Sequence, residues 1–300
     1  MNKPGERLRQ IVRGARRSGT TVSFLGVYDV FSASLAARHS DALFISGFGF
    51  AASHYGLPDI GFISWTDMVD FVGRVRTILP QHHLLVDIDD GYCDIEVARH
   101  VVSRLERIGA SGVVLEDQRR PRRCGHFAGK QVMELDDFLV KLTRVLDTRR
   151  DLFVIARTDA TDPDEAARRV RAFAAAGADA VLIDGVRDLD VVRRVSTDLD
   201  CPVVFNQIAG GKSPRCSLTE LSHAGVTAAI YSTPCLFAAQ AAIDAALAEL
   251  VDSDGRLPAP SADHVGVADC TRVLEANAVR RDGGEALEIV SDPIVEKATA

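Results

Sequence analysis

The sequence predicts a closed (β/α)8 barrel, an α/β fold of the TIM type with a C-terminal helical extension. Three observations predict it. Short apolar runs alternate with amphipathic segments along most of the chain. The runs number eight. Several are apolar throughout, as strands buried on both faces must be. A length of 300 residues accommodates one barrel of about 250 residues and a tail. Hydrophobic residues at 47% and charged residues at 26% exclude a disordered, collagen-like or coiled-coil chain.

The elements follow in order. The basic N-terminal segment (Arg7, Arg9, Arg13, Arg16, Arg17) lacks the apolar core and cleavage site of a signal peptide and reads as a solvated helix face. Strands are expected at Val22–Leu25, Ala42–Ser46, Leu84–Asp89, Gly112–Asp117, Leu152–Arg157, Ala180–Ile183, Pro202–Asn206 and Ala228–Tyr231. Helical spacing marks 65–79 (Met68, Val69, Phe71, Val72, Val75) and 94–108 (Ile95, Val97, Val101, Leu105, Ile108). A helix over 163–176 has Asp162 as its cap, Pro163 in its first position and Gly177 at its end. Residues 252–263 are rich in Asp, Ser, Pro and Gly and read as a linker, and 264–281 as a last helix. The catalytic barrel is thus expected over 1–250, and a linker with a helical extension over 251–300.

Several functions are excluded. A doubly wound dinucleotide-binding sheet needs Gly-x-Gly-x-x-Gly, and Ser46-Gly47-Phe48-Gly49 lacks the third glycine. Gly210-Gly211-Lys212-Ser213 resembles half a phosphate loop, but Asn206 stands where its first glycine belongs, so an NTPase is rejected. A net charge of -7 argues against nucleic acid as a partner. No uninterrupted apolar run reaches about 18 residues, so no membrane span is expected. The six cysteines show no Cys-x-x-Cys spacing, which predicts reduced thiols, a cytoplasmic location and no structural zinc.

The informative residues end the strands. In a barrel the C-terminal strand ends form the active site, and here they carry Ser46, Asp87, Asp89, Glu116, Asp117, Arg157, Asp184 and Asn206. Asp87 and Asp89, two apart on one strand, are expected to point the same way. Any one of these acids alone reads as a cap or a loop ion pair. Asp87, Asp89 and Glu116 together would repel unless a cation intervened, and a hard oxygen-binding ion, Mg²⁺ or Mn²⁺, answers that need. Just beyond Glu116 runs Arg119-Arg120-Pro121-Arg122-Arg123-Cys124-Gly125-His126. A basic run beside a thiol is expected to lower its pKa, making Cys124 an acid, base or nucleophile. The alternative is a solvated arginine run beside a buried cysteine. The segment, with Gly125 and Gly129, has the character of a mobile lid.

These motifs, with Tyr28-Asp29, Gly56-Leu57-Pro58-Asp59, Asp87-Ile88-Asp89-Asp90-Gly91-Tyr92, Leu115-Glu116-Asp117-Gln118, Ala156-Arg157-Thr158-Asp159-Ala160 and Gly210-Gly211-Lys212-Ser213-Pro214, resemble the isocitrate lyase/phosphoenolpyruvate mutase superfamily over about Val22 to Leu250. The resemblance is to its small lyases, such as 2-methylisocitrate lyase and 2,3-dimethylmalate lyase. It implies that Asp87, with Asp89, Glu116 and Asp59 partly through water, holds Mg²⁺. It implies that Ser46, Gly47, Gly125 and His126 bind a substrate carboxylate, with Tyr28 and Ser213 also at the substrate. Arg157 and Asn206 would clamp its other oxygens. Cys124 would be the catalytic thiol, assisted by Arg157 and His126, protonating the enolate released when a C–C bond breaks. The chain departs from the pattern at Asp90 (usually Thr), Cys93 (usually Gly), Asp184 (often Glu) and Ala209 (Glu). The last two shorten or remove carboxylates near the substrate and point to another small 2-hydroxy or 2-oxo acid. The expected activity is a Mg²⁺-dependent C–C lyase. A phosphonomutase resembling carboxyphosphonoenolpyruvate mutase, which shares the cysteine pattern, is the alternative. The resemblance also implies a homotetramer exchanging a C-terminal helix, for which Cys235–Leu250 is the candidate.

Overall fold

The computed structural model describes residues 3–92, 94–258 and 265–282. Eight parallel strands close in chain order into one barrel. They are β1 (Val22–Val27), β2 (Ala42–Ile45), β3 (His83–Asp87), β4 (Gly112–Glu116), β5 (Phe153–Thr158), β6 (Ala180–Ile183), β7 (Val203–Gln207) and β8 (Val226–Tyr231). Closure is made by β1 on β8, from Val22 opposite Ala228 to Leu25 opposite Tyr231. Helix α1 (Pro4–Ser18) precedes the barrel. The connections carry α2 (Val30–Ala36), α3 (Gly47–Phe50) with a π-helical turn (Ala51–Tyr55), α4 (Trp65–Ile78), α5 (Ile95–Arg107), α6 (Leu135–Thr148), α7 (Pro163–Ala175), α8 (Leu189–Asp198) and α9 (Leu218–His223). Helices α10 (Pro234–Asp252) and α11 (Val267–Arg281) complete the described chain.

Strand side chains alternate between two cores. Outward residues such as Val86, Val113, Leu115 and Val154 pack under the helices. Inward residues Phe44, Leu85, Val114, Ile155, Leu182, Val204 and Ile230 fill the barrel. Two residues further along each of these strands the inward position is Ser46, Asp87, Glu116, Arg157, Asp184, Asn206 or Ser232. The barrel is therefore apolar inside and polar at its C-terminal mouth.

The basic N-terminal segment is a helix, but not merely a solvated one. Leu8 and Val12 of α1 are buried in the inner core, closing the N-terminal end of the barrel. Arg9 Nε is 2.9 Å from Asp179, and its Nη1 donates to the Asp151 carbonyl at 2.7 Å. Gly5 is required there, because a Cβ would lie 1.9 Å from that carbonyl oxygen.

Expected boundaries hold to within a few residues, with one consequential shift. Strand β3 stops at Asp87, and Asp89 follows in a left-handed turn (φ 51°). The two acids reach the same place by a turn, not by strand alternation. Asp162 caps α7 as expected, accepting from the Glu165 amide at 2.8 Å. The expected linker begins later, because α10 runs on to Asp252; part of it, 259–263, lies outside the described residues, as does the first residue of the expected last helix. Helix α11 returns to the barrel, where Asn277 Nδ2 donates to Ser34 Oγ at 2.8 Å.

Helix α10 buries none of its side chains, and Ile243, Leu247 and Val251 are 56, 57 and 78% exposed. By length and composition it is apolar enough to cross a membrane. No uninterrupted apolar run marks it, because Asp244 and Glu249 break the run without reversing its average. The five described cysteines, Cys124, Cys201, Cys216, Cys235 and Cys270, are free thiols.

Candidate active site

The polar ring at the mouth encloses a chamber of about 20 Å³. Phe44, Val114, Leu182 and Ile230 form its floor, and Ser46, Asp87, Arg157, Asp184, Asn206 and Ser232 its sides. Asp59, Cys124 and Gly125 close over it from the loops. Ser46 has a local role as well, its Oγ accepting from the Gly49 amide at 3.0 Å and capping α3. A Cβ on Gly47 would lie 3.1 Å from Asp87 Oδ2 and 3.5 Å from Asp89 Oδ1, so its backbone stands directly over both acids.

One guanidinium organises one side. Arg157 Nε donates to Asp159 at 2.8 Å, while Nη2 lies 2.7 Å from Asp184 and 3.3 Å from Glu116. Burial would lower the Arg157 pKa, but Asp159, Asp184 and Glu116 outweigh it and keep the charge fixed. Burial would likewise raise Asp184, yet Arg157 and then His126 hold that carboxyl well below the usual range. Asn206 Nδ2 donates to Asp184 at 2.9 Å, and its Oδ1 accepts from Ser232 at 2.7 Å. Lys130 Nζ pairs with Asp159 at 2.8 Å.

The other side holds the acids. Asp59, Asp87, Asp89 and Glu116 are at most 8% exposed. The cation among them is Arg122, itself buried, with Nη1 2.5 Å from Asp59, Nη2 2.9 Å from Asp89 and Nε 3.0 Å from Glu116. One guanidinium does not satisfy the set. Asp89 Oδ1 and Glu116 Oε2 have ion-pair contacts, to Arg122 at 2.9 Å and Arg157 at 3.3 Å, but no aligned hydrogen bond. Burial drives Asp87 and Asp89 up despite the nearby arginines, and pushes Glu116 up to about 8. Buried hard-oxygen donors with charge to spare fit a small divalent cation. Among the described residues no three His, Cys, Asp or Glu side chains form a ready cage. A small hard ion such as Mg²⁺ binds through one or two carboxylates and keeps several waters.

The expectation for Cys124 is overturned. Its pKa is not lowered by the arginine run; burial pushes it up to about 12, with Asp184 and Asp59 adding to the rise. Arg122 turns its charge onto the acids, and Arg119, Arg120 and Arg123 are exposed. At neutral pH the thiol therefore carries its proton. It sits on a segment tied down at several points. Gln118 and Arg123 exchange hydrogen bonds of 2.7 and 2.9 Å, and Lys212 Nζ donates to the Phe127 carbonyl at 2.7 Å. Gly125 has no alternative, because a Cβ would lie 1.8 Å from Asp184 Oδ2. His126 accepts from the Lys212 amide at 2.9 Å through Nδ1, while Nε2 faces Asp184 at 3.6 Å.

Most of the expected site residues thus converge. Gly47, Asp89, Glu116 and His126 stand behind the lining, in contact with Asp87, Arg157 or Asp184, and Tyr28 and Ser213 lie elsewhere. Tyr28 lines a separate cleft with Asp29, His54 and Arg74. Ser213 lies in a cleft beside β7, its Oγ buried without a partner. The sequence reading missed Arg122, Asp159, Lys130 and Ser232 as parts of the network. Asp159 and Ser232 could have been found by stepping two residues on from Arg157 and Ile230. The departure at Asp90 is also explained, since its carboxylate pairs with Arg120 at 2.8 Å.

This barrel, with acids, an arginine and a thiol at its C-terminal mouth, matches a known class. Residues 13–251 match the phosphoenolpyruvate phosphomutase family, and the chain belongs to that family. It is an enzyme of the phosphoenolpyruvate mutase/isocitrate lyase superfamily. It is 30% identical to a 2,3-dimethylmalate lyase of Eubacterium barkeri, over 73% of this chain and 77% of that one. It is 32% identical to a 2-methylisocitrate lyase of Shewanella oneidensis over the same shares. An oxaloacetate acetylhydrolase, solved in complex with the inhibitor 3,3-difluorooxalacetate, superposes with a TM-score of 0.85 at 29% identity. That alignment covers 95% of this chain and 99% of the other.

Proposed function

We propose that this protein is a divalent-cation-dependent carbon–carbon lyase. It cleaves the C2–C3 bond of a small 2-hydroxy carboxylic acid, whose hydroxyl gives up its proton as the carbonyl forms, into a 2-oxo acid and the enolate of a second fragment; a 2-oxo carboxylic acid would instead take up water at C2 and give oxalate and the same enolate. The observation that carries the reading is a buried thiol, Cys124, closing a chamber in which Arg157 faces a cluster of acids. The two lyases named above support the same class.

The residues divide the work. Arg157 orients a substrate oxygen and stabilises charge that develops there. Its own position is fixed by Asp159 and Asp184, so little reorganisation is needed. Asn206, held between Asp184 and Ser232, orients a second oxygen. Asp87, Asp89, Glu116 and Asp59 would hold Mg²⁺, or Mn²⁺, which when bound polarises the substrate oxygens as a Lewis acid. Cys124 Sγ gives its proton to the carbon of the enolate fragment, and the segment around Gly125 excludes water.

The test is turnover of a panel of 2-hydroxy acids and phosphonates, followed by product assays for pyruvate or glyoxylate and by phosphorus NMR. Chelation should abolish activity and Mg²⁺ or Mn²⁺ restore it. Asp87→Ala should abolish it with little loss of fold, since the residue sits at a strand end outside the core. Full activity in excess chelator would refute the metal. Conversion of phosphonates alone would make the enzyme a phosphonomutase instead.

We further propose a homotetramer in which neighbours exchange α10. The exposed apolar face of Ile243, Leu247 and Val251 supports it, being of the kind that association covers. Light scattering at micromolar concentration should give four times the chain mass, and a monomer would refute the assembly.

A further inference from the structure

The N-terminal end of the barrel carries charge that the fold does not use. Helix α1 closes that end with Leu8, Val12 and Ala15. Arg9, Arg13, Arg16 and Arg17 share the neighbouring side of the helix, at spacings of a turn or less. They line a cleft of about 770 Å³ between α1 and the starts of β5, β6 and β7, whose other wall carries Phe153, Ala178 and Pro202.

Two of the four guanidinium groups are accounted for. Arg9 Nε meets Asp179 at 2.9 Å. Arg16 Nη2 lies 3.3 Å from Asp200 and donates to the Leu199 carbonyl at 2.8 Å. Asp179 and Asp200 are the acids of the cleft among the described residues. Asp179 also meets Arg149 and accepts from the Val154 amide at 2.8 Å, so it has nothing to spare. Arg13 and Arg17 are exposed and have no ion pair or hydrogen bond among the described residues. The end of a helix favours a cation at Arg16 or Arg17, but Arg13 stands a turn further in. It lies four residues from both Arg9 and Arg17, where like charges repel. In a chain of net charge -7, two surplus guanidinium groups over a cleft favour an anion there.

The geometry narrows the anion. The planar fork of arginine binds phosphoryl oxygens two at a time. Arg13 and Arg17 are separated by a rise of about 6 Å along the helix, which suits two linked phosphoryl groups. The cleft is larger than inorganic phosphate fills and has the size of sites for small organic ligands. We propose that it binds a diphosphate, either free pyrophosphate or the diphosphate of a nucleotide, held by Arg13 and Arg17. The site lies at the end of the barrel opposite the mouth and is independent of the chemistry there.

Calorimetry on the full chain at low salt tests it, with EDTA present to prevent metal-dependent binding at the mouth. The probes are pyrophosphate, inorganic phosphate, ADP and AMP. Pyrophosphate should bind at least about tenfold tighter than phosphate, and ADP at least about tenfold tighter than AMP, since each diphosphate engages a second guanidinium. ADP binding tighter than pyrophosphate assigns the nucleotide, and any other order of the two assigns the free anion. Arg13→Gln and Arg17→Gln should each weaken diphosphate binding about tenfold or more. Both residues are exposed and unpaired, so the variants should keep the wild-type melting temperature without ligand. Either single variant decides if the other fails to fold. Three results overturn the site: no binding of pyrophosphate or ADP, monophosphates binding as tightly as diphosphates, or wild-type affinity in the folded variants.

Discussion

The two ends of the barrel are built from the same strands, and a step of two residues separates them. At the N-terminal end and through the middle, Leu85, Val114, Ile155, Leu182 and Val204 pack beneath the plug formed by Leu8 and Val12. At the C-terminal end the next inward positions are Asp87, Glu116, Arg157, Asp184 and Asn206. Both sets are buried, yet only the first gains from leaving water. The second is tolerable because each charge meets another, and its acids remain under-compensated. The comparison teaches that the apolar layer supplies the stability and the polar layer spends some of it on chemistry. Substitutions at the two ends should then separate stability from activity.

The largest effect belongs to the mouth. Cys124→Ser should lower turnover by about 10²–10⁴-fold if the thiol is the proton donor, with an unchanged melting temperature by circular dichroism. Serine is close in size but far less acidic, so packing survives while the proton is withheld. The same thiol should resist alkylation. A pKa raised from 9.0 to about 12 leaves the group protonated at pH 8, and iodoacetamide should modify it about 10³-fold more slowly than a free thiol. Rapid labelling with full retention of activity would remove the thiol from the mechanism.

At the opposite end the pattern should invert. Leu8 is fully buried. Leu8→Ala removes its side chain from the plug and should cost about 2–5 kcal/mol of stability, read from urea unfolding. The rate per folded molecule should stay at the wild-type value, because no atom of the mouth moves. A loss of rate without a loss of stability would mean that the plug communicates with the site.

How far the sequence reveals this division depends on what each residue type requires. The strands were legible because a short run of apolar residues without alternation suits a strand covered on both faces. The mouth was legible because a charge at the end of such a run has no packing reason. Asp89 was placed correctly for an incorrect reason, since a left-handed turn achieves what strand alternation was expected to do. Arg122 was not legible. It is one of four arginines in the run, and its burial depends on Asp59, 63 positions away. The Cys124 pKa failed for the same cause. Sequence shows which charges are near along the chain, and folding decides which of them face the thiol and how dry it becomes. The role of α1 was hidden because its arginines dominate the reading, while the buried stripe of Leu8, Val12 and Ala15 is short.

The smallest effect sharpens the comparison from inside the mouth. Asp162 is an acid at the C-terminal end of the barrel, four residues beyond Thr158 at the end of β5. By position alone it belongs with the reactive set. Its geometry says otherwise. The side chain is exposed and accepts from the Glu165 amide at 2.8 Å, satisfying one of the free N–H groups that begin α7. Pro163 occupies the first turn, where its missing N–H costs nothing. Asp162→Ala should therefore remove a cap worth about 1 kcal/mol and leave turnover and metal dependence at wild-type values. Unfolding and steady-state assays on the same preparation would check both. If activity fell with the cap, the N-terminus of α7 would be part of the site, and position at the mouth would matter more than the contacts a residue makes there.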